Sequence, residues 1–141
     1  LKNKWYVANF VFTSCPVSCP KIMQTMAHLQ SLIKKDKLKL QLVTFSVDPE
    51  IDTPKVLSKY SLKYQADNTM WNFLTGELNI VKSLLMQNFK VAMGEKNISD
   101  LMSIAHSNKL VLVDGNGVIR AYYPAESLGI KRLITDYKNN L

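Results

Sequence analysis

The chain lacks any long apolar run: nothing in its 141 residues approaches the roughly 18 consecutive apolar residues of a membrane-spanning helix, and its first residues do not show the basic-then-apolar pattern of a signal peptide. No part of it is expected to cross a membrane. It starts at Leu1 rather than methionine and enters a strand almost at once, so it reads as a cut fragment whose anchor or leader has been removed. Internal repeats and low-complexity linkers are missing too, and with 47% hydrophobic residues a single domain over residues 1–141 is the expectation. Nor is there a nucleic-acid motif or a basic patch interleaved with exposed aromatics, although 18 Lys and Arg against 11 Asp and Glu give a formal charge of +7. The lysines (Lys34, Lys35, Lys37, Lys39, then Lys55, Lys59, Lys63) are scattered along amphipathic segments and read as solvated faces. No nucleic-acid partner is expected; an acidic protein face is the partner that such a charge would steer. Cysteine and histidine are scarce, two of each, so their positions are informative.

Both cysteines fall in Thr13-Ser14-Cys15-Pro16-Val17-Ser18-Cys19-Pro20, directly after the β-branched and aromatic stretch Trp5-Tyr6-Val7-Ala8-Asn9-Phe10-Val11-Phe12. That stretch has the near-continuous apolar character of a buried parallel strand, which puts the cysteines beyond its carboxyl end, where open α/β sheets carry their ligands and chemistry. Cys-x-x-Cys is the usual redox spacing; here three residues intervene, which places both side chains on one face, a turn apart, if the helix begins early. Four residues of helix rise by about 6 Å. A disulfide, with its usual Cα separation of about 4.4–6.8 Å, is then within reach near its upper limit. The same bite suits a metal ion.

Along the rest of the chain, Lys21–Lys35 has apolar residues at helical spacing and a lysine-rich end, Leu38–Val47 reads as a strand, and Thr53-Pro54 reads as the cap and first residue of a helix running to about Tyr64. Trp71–Leu74 is a short strand, and Glu77–Phe89 another amphipathic helix. Lys90–Ser103 gives no clear signal. Lys109–Val113, the turn Asp114-Gly115-Asn116-Gly117 and Val118–Tyr123 form a hairpin whose turn residues suit positive φ, before a last helix over about Glu126–Tyr137. Early strands separated by helices pair in parallel and a late hairpin pairs antiparallel. The expectation is an α/β, thioredoxin-like fold with a central mixed β-sheet flanked by helices.

Two cysteines make an incomplete metal site, and soft thiolates with an imidazole suit Cu(I) or zinc. His28 lies about 180° round the helix from Cys19 and is expected at the surface. His106, on the polar step His106-Ser107-Asn108 before a central strand, can approach the cysteine turn, although the same position suits a plain structural histidine. Met23 and Met26 share the face of Cys19 and read as core rather than as thioether ligands. Asp48 and Asp52 frame a turn at the carboxyl end of the second strand and either serve the site or cap the next helix.

These landmarks occur in one order over nearly the whole chain: Phe12-Thr13-Ser14-Cys15-Pro16-Val17-Ser18-Cys19-Pro20, Ser46-Val47-Asp48-Pro49-Glu50-Ile51-Asp52-Thr53-Pro54, Leu74-Thr75-Gly76, His106-Ser107 and Asp114-Gly115-Asn116-Gly117. In them the chain resembles the Sco/SenC family of copper chaperones for cytochrome c oxidase. The resemblance implies copper, as Cu(I) and also Cu(II), held by Cys15, Cys19 and His106. It implies delivery to the copper domain of cytochrome c oxidase subunit II, with other copper chaperones as further partners. It also implies anchoring at the periplasmic face of a bacterial inner membrane, or in the mitochondrial intermembrane space. The family's extra N-terminal β-hairpin is not seen here. Nor is the Asp that usually precedes the ligand histidine: Ala105 stands there, a change expected to affect copper transfer more than copper binding. The rival reading is a thiol–disulfide oxidoreductase in which Cys15 attacks and Cys19 resolves, reducing a cysteine pair on the same partner. A non-catalytic module of the same fold would instead tolerate loss of both thiols.

Overall fold

The computed structural model describes residues 3–14, 18–83 and 108–139. Strand β1 (Trp5–Val11) is followed by helix α1 (Ser18–Lys35), β2 (Leu40–Ser46), α2 (Pro54–Lys63), β3 (Trp71–Leu74), α3 (Leu78–Ser83), the hairpin β4 (Lys109–Val113) and β5 (Ile119–Pro124), and α4 (Ser127–Lys138). The sheet order is β3-β2-β1-β4-β5. β1 pairs in parallel with β2 from Trp5 opposite Leu40 to Val11 opposite Ser46, and β2 in parallel with β3. β4 runs antiparallel to both β1 and β5. This is the mixed, thioredoxin-like sheet that the order of elements implies.

The centre of the sheet explains why β1 reads as an unbroken apolar run: Val7 to Val11 are all buried. Val7 and Val11 face one side, with Leu40, Leu42, Leu110 and Leu112, under the apolar stripe of α1 (Ile22, Met23, Met26, Leu29, Ile33) and under Ile130 and Leu133 of α4. Ala8, Phe10, Val111 and Val113 pack on the other side. Right-handed β-α-β crossovers put α1 and α2 on the same face, and Tyr60 of α2 and its C-cap Tyr64 do pack against the α1 cluster. Each fully buried Leu, Ile or Met contributes about 1.5–3 kcal/mol of transfer free energy.

Two differences from the sequence reading have local causes. Helix α1 begins at Ser18, ahead of the expected Lys21; Pro20 is tolerated because amides in the first helical turn have no intrahelical acceptor to lose. In the β4–β5 turn only Gly117 has positive φ, at 80°. The Asp114 carboxylate supplies the other constraint, accepting from the amides of Asn116 and Val118, and the ladder shifts register between Leu112 and Val113. Thr53 caps α2 as expected, its side chain accepting from the Val56 amide at 3.3 Å. The expected helix over Glu77–Phe89 is seen as α3; its second half, and the Lys90–Ser103 stretch, lie outside the described residues.

Candidate metal centre

Of the three ligands named from the sequence, Cys19 is described, whereas Cys15 and His106 lie outside the described residues, as does Ala105. Cys19 sits in the first turn of α1, past the carboxyl end of β1, and has 0% exposure. Among the described residues no group of three or more His, Cys, Asp or Glu side chains could hold a metal ion. His28 is exposed. Met23 and Met26 are wholly buried in the main core, packed in the apolar stripe of α1.

The helix that carries Cys19 is held by side-chain polar contacts to three different parts of the chain. The Asn9 amide of β1 donates to the Met23 sulfur at 3.7 Å. The Thr25 hydroxyl donates to the Ala125 carbonyl, between β5 and α4, at 3.2 Å. Gln30 donates to the Gln65 carbonyl and accepts from the Asp67 amide, at 3.2 and 2.8 Å, which ties α1 to the segment before β3. A neutral donor on a thioether is weak, but the Asn9 group is enclosed: its oxygen accepts from Thr44 at 2.6 Å, and Thr44 accepts from the Trp71 indole at 2.9 Å. The seat of Cys19 is therefore specified by β1, β2 and β3 together.

The approach to Cys15 is held from the β2–α2 loop. Asp52 has 0% exposure, and its carboxylate accepts from the Thr13 amide at 3.1 Å, from the Thr13 hydroxyl in a short hydrogen bond, and from the Ser46 hydroxyl at 2.7 Å. From the sequence alone, Asp52 suits either capping or the site. Thr53 does the capping, and Asp52 faces the strand end that leads to the cysteines. The signal available in the sequence was the Thr-Pro pair after it, which already supplies a helix start and leaves the preceding Asp without that task.

Asp48 completes the turn: its amide donates to Ser46 Oγ at 3.0 Å and its carbonyl accepts from the Ile51 and Asp52 amides. Its carboxyl is pushed above the usual carboxylate range by desolvation and by the charges of Asp52 and Glu50, against a hydrogen bond from the Ile51 backbone. A carboxyl raised in the folded state costs stability once ionised, over the window from its unfolded value of 3.8 upward. Asp48→Asn, which keeps an acceptor for the backbone, is expected to raise Tm at pH 7 and to lose that gain as the pH falls toward 4. Paired thermal scans at about pH 7 and about pH 4 check it, and a gain independent of pH would contradict the charge argument.

Solved structures show the same architecture. A SCO1/SenC family lipoprotein from Bacillus anthracis str. Ames is 34% identical with a TM-score of 0.82, over 99% of this chain and 82% of that one. BsSco, described as a member of the Sco family of cytochrome c oxidase assembly proteins with a disulfide switch, is 28% identical with a TM-score of 0.79, over 97% of this chain and 80% of its own. Among curated proteins, a putative copper-binding protein of Stutzerimonas stutzeri is 29% identical over 143 residues, 99% of this chain and 69% of that protein. With the SCO1/SenC model matched over residues 1–141, the chain belongs to the SCO1/SenC family.

Proposed function

We propose that this chain carries copper for cytochrome c oxidase: Cys15, Cys19 and His106 hold Cu(I) as cargo and hand it to the copper domain of oxidase subunit II. The observation that carries the reading is the placement of Cys19, buried in the first turn of α1 at the carboxyl end of the central strand. There, helix amides without intrahelical partners favour negative charge. Two thiolates and an imidazole form a soft donor set that suits Cu(I). Family membership and the name of the Stutzerimonas relative support copper, and the description of BsSco supports an oxidase as the destination. Three ligands leave an open position through which acceptor ligands replace them one at a time. Because both thiols must lose protons and the imidazole must be neutral, binding weakens as the pH falls. The domain works at the outer face of a bacterial inner membrane, tethered upstream, in keeping with its lipoprotein relative.

The same residues support a second reading, favoured by the complete burial of Cys19. A buried sulfur suits the resolving role, and the attacking role then falls to Cys15. In that reaction the two thiols give two electrons and two protons to a partner disulfide, which becomes a dithiol while Cys15 and Cys19 become a disulfide. His106 has no part in it.

Anaerobic Cu(I) titration of the reduced protein against a chromophoric chelator tests the first reading. One tight equivalent is expected, weakened in Cys15→Ser, Cys19→Ser and His106→Ala by more than the roughly 10–100-fold typical of residues that merely support a ligand. Wild type binding no better than the double cysteine variant, or His106→Ala binding as wild type does, would remove the three-ligand site and leave the dithiol reading.

A further inference from the structure

Asp52 is a fully buried carboxylate, and none of the ion pairs among the described residues involves it. A buried carboxylate is costly unless its oxygens are well hydrogen-bonded, so its three donors, two of them from Thr13, deserve a reason. Capping does not supply one, because Thr53 caps α2. Anchoring the loop to β2 would need only Ser46. What the extra bonds add is a hold on both the amide and the hydroxyl of Thr13, two residues before Cys15 in the sequence.

Cys19 and the strand end that precedes Cys15 thereby have separate anchors. Cys19 follows α1, which is seated by Asn9, by the Ala125 carbonyl and by the segment after α2. The chain approaching Cys15 follows the end of β1, where the Val47 amide donates to the Val11 carbonyl at 2.9 Å and Asp52 then takes hold of Thr13. A pair of ligands binds a metal tightly only when both are held in register, and the groups that orient them matter almost as much as the ligands.

We propose that Asp52 is a positioning residue for the thiol pair: by clamping Thr13 it fixes how the chain leaves β1 for Cys15, and so sets the Cys15–Cys19 geometry on which both Cu(I) affinity and the dithiol–disulfide equilibrium depend. The first of these consequences rests on the copper reading above; the second does not. Asp52→Ala is expected to lower Cu(I) affinity by about 10–100-fold and to shift the midpoint potential of the Cys15/Cys19 couple. Thr13→Val, which keeps the shape and the amide but removes the hydroxyl, shifts both in the same direction by less. Asp52→Asn restores affinity to within a few-fold, because its oxygen can serve the amide and Ser46 while the Thr13 hydroxyl turns to accept from the new NH2 group.

Leu57→Ala is the control, since Leu57 is buried in α2 and makes no bond to the clamp. It should lower Tm and leave affinity and potential alone. The proposal is overturned if Asp52→Ala lowers stability as Leu57→Ala does while affinity and potential stay at wild-type values; should Asp52→Ala not fold, an unchanged Thr13→Val overturns it equally. Absence of Cu(I) binding in the wild type would sink the copper reading alone, and the potential measurements would still decide the role of Asp52.

Discussion

Gly129→Ala is expected to lower the free energy of unfolding by about 3 kcal/mol or more, the opposite of what helix propensity alone would give. Gly129 lies in the first turn of α4, where alanine would ordinarily gain about 1 kcal/mol over glycine. Here a Cβ would stand 1.9 Å from the Pro124 carbonyl oxygen and 2.9 Å from its carbon, both backbone atoms. That carbonyl cannot retreat cheaply. It accepts the Glu126 amide at 2.8 Å, and the next residue, Ala125, donates to the Asn108 carbonyl at 2.9 Å and accepts the Thr25 hydroxyl of α1. Moving α4 instead strains the bond from the Tyr123 hydroxyl to Asp136 at 2.6 Å and unpacks Ile130 and Leu133. Denaturant unfolding of the two proteins checks the sign as well as the size. A more stable alanine variant would mean that α4 sits further from β5 than the structure has it. Through Thr25 the same substitution reaches the helix that carries Cys19, so a folded Gly129→Ala variant should also bind copper less tightly.

What the sequence makes legible here is what short-range chemistry controls. Period and composition mark β1, β2 and the hairpin, and Thr53-Pro54 marks the start of α2 to the residue. The cysteine turn is equally plain, because two thiols flanked by prolines after an apolar strand have few ordinary explanations. Long-range placement is not legible in the same way. Asp52 reads as a loop carboxylate until Thr13, 39 residues earlier in the chain, is seen bonded to it. Gly129 reads as an indifferent helical glycine until Pro124 is seen against it. The apolar period alone places the start of α1 at Lys21, whereas the helix takes in Ser18, Cys19 and Pro20, a proline that in a first turn costs no hydrogen bond. His106 stands apart: the sequence puts it before β4, where the family pattern has its histidine, and it lies outside the described residues.

The other large effect is expected at Asn9, where Asn9→Asp should cost about 3–5 kcal/mol at neutral pH and progressively less in acid. The substitution preserves shape and changes only charge and hydrogen-bonding sense. In the wild type the Asn9 oxygen accepts from Thr44 and its nitrogen donates to the Met23 sulfur, at 0% exposure. An aspartate keeps the Thr44 bond, but its second oxygen then faces the sulfur lone pairs, acceptor against acceptor. Asp52 shows what a buried carboxylate needs in this protein, three donors, and Asn9 offers one. Desolvation therefore raises the folded-state pKa of the new carboxyl above its unfolded value of about 3.9. The penalty is complete above that raised pKa and falls away as the pH drops through it, because the protonated group can again donate to Met23. Urea unfolding of variant and wild type from about pH 4 to about pH 8 should show curves that converge toward acid. A gap that stays constant with pH would place the cost in packing rather than charge. A variant as stable as wild type at pH 8 would mean that water reaches this part of the core, and that the seat of Cys19 is looser than the Asn9–Met23 contact makes it.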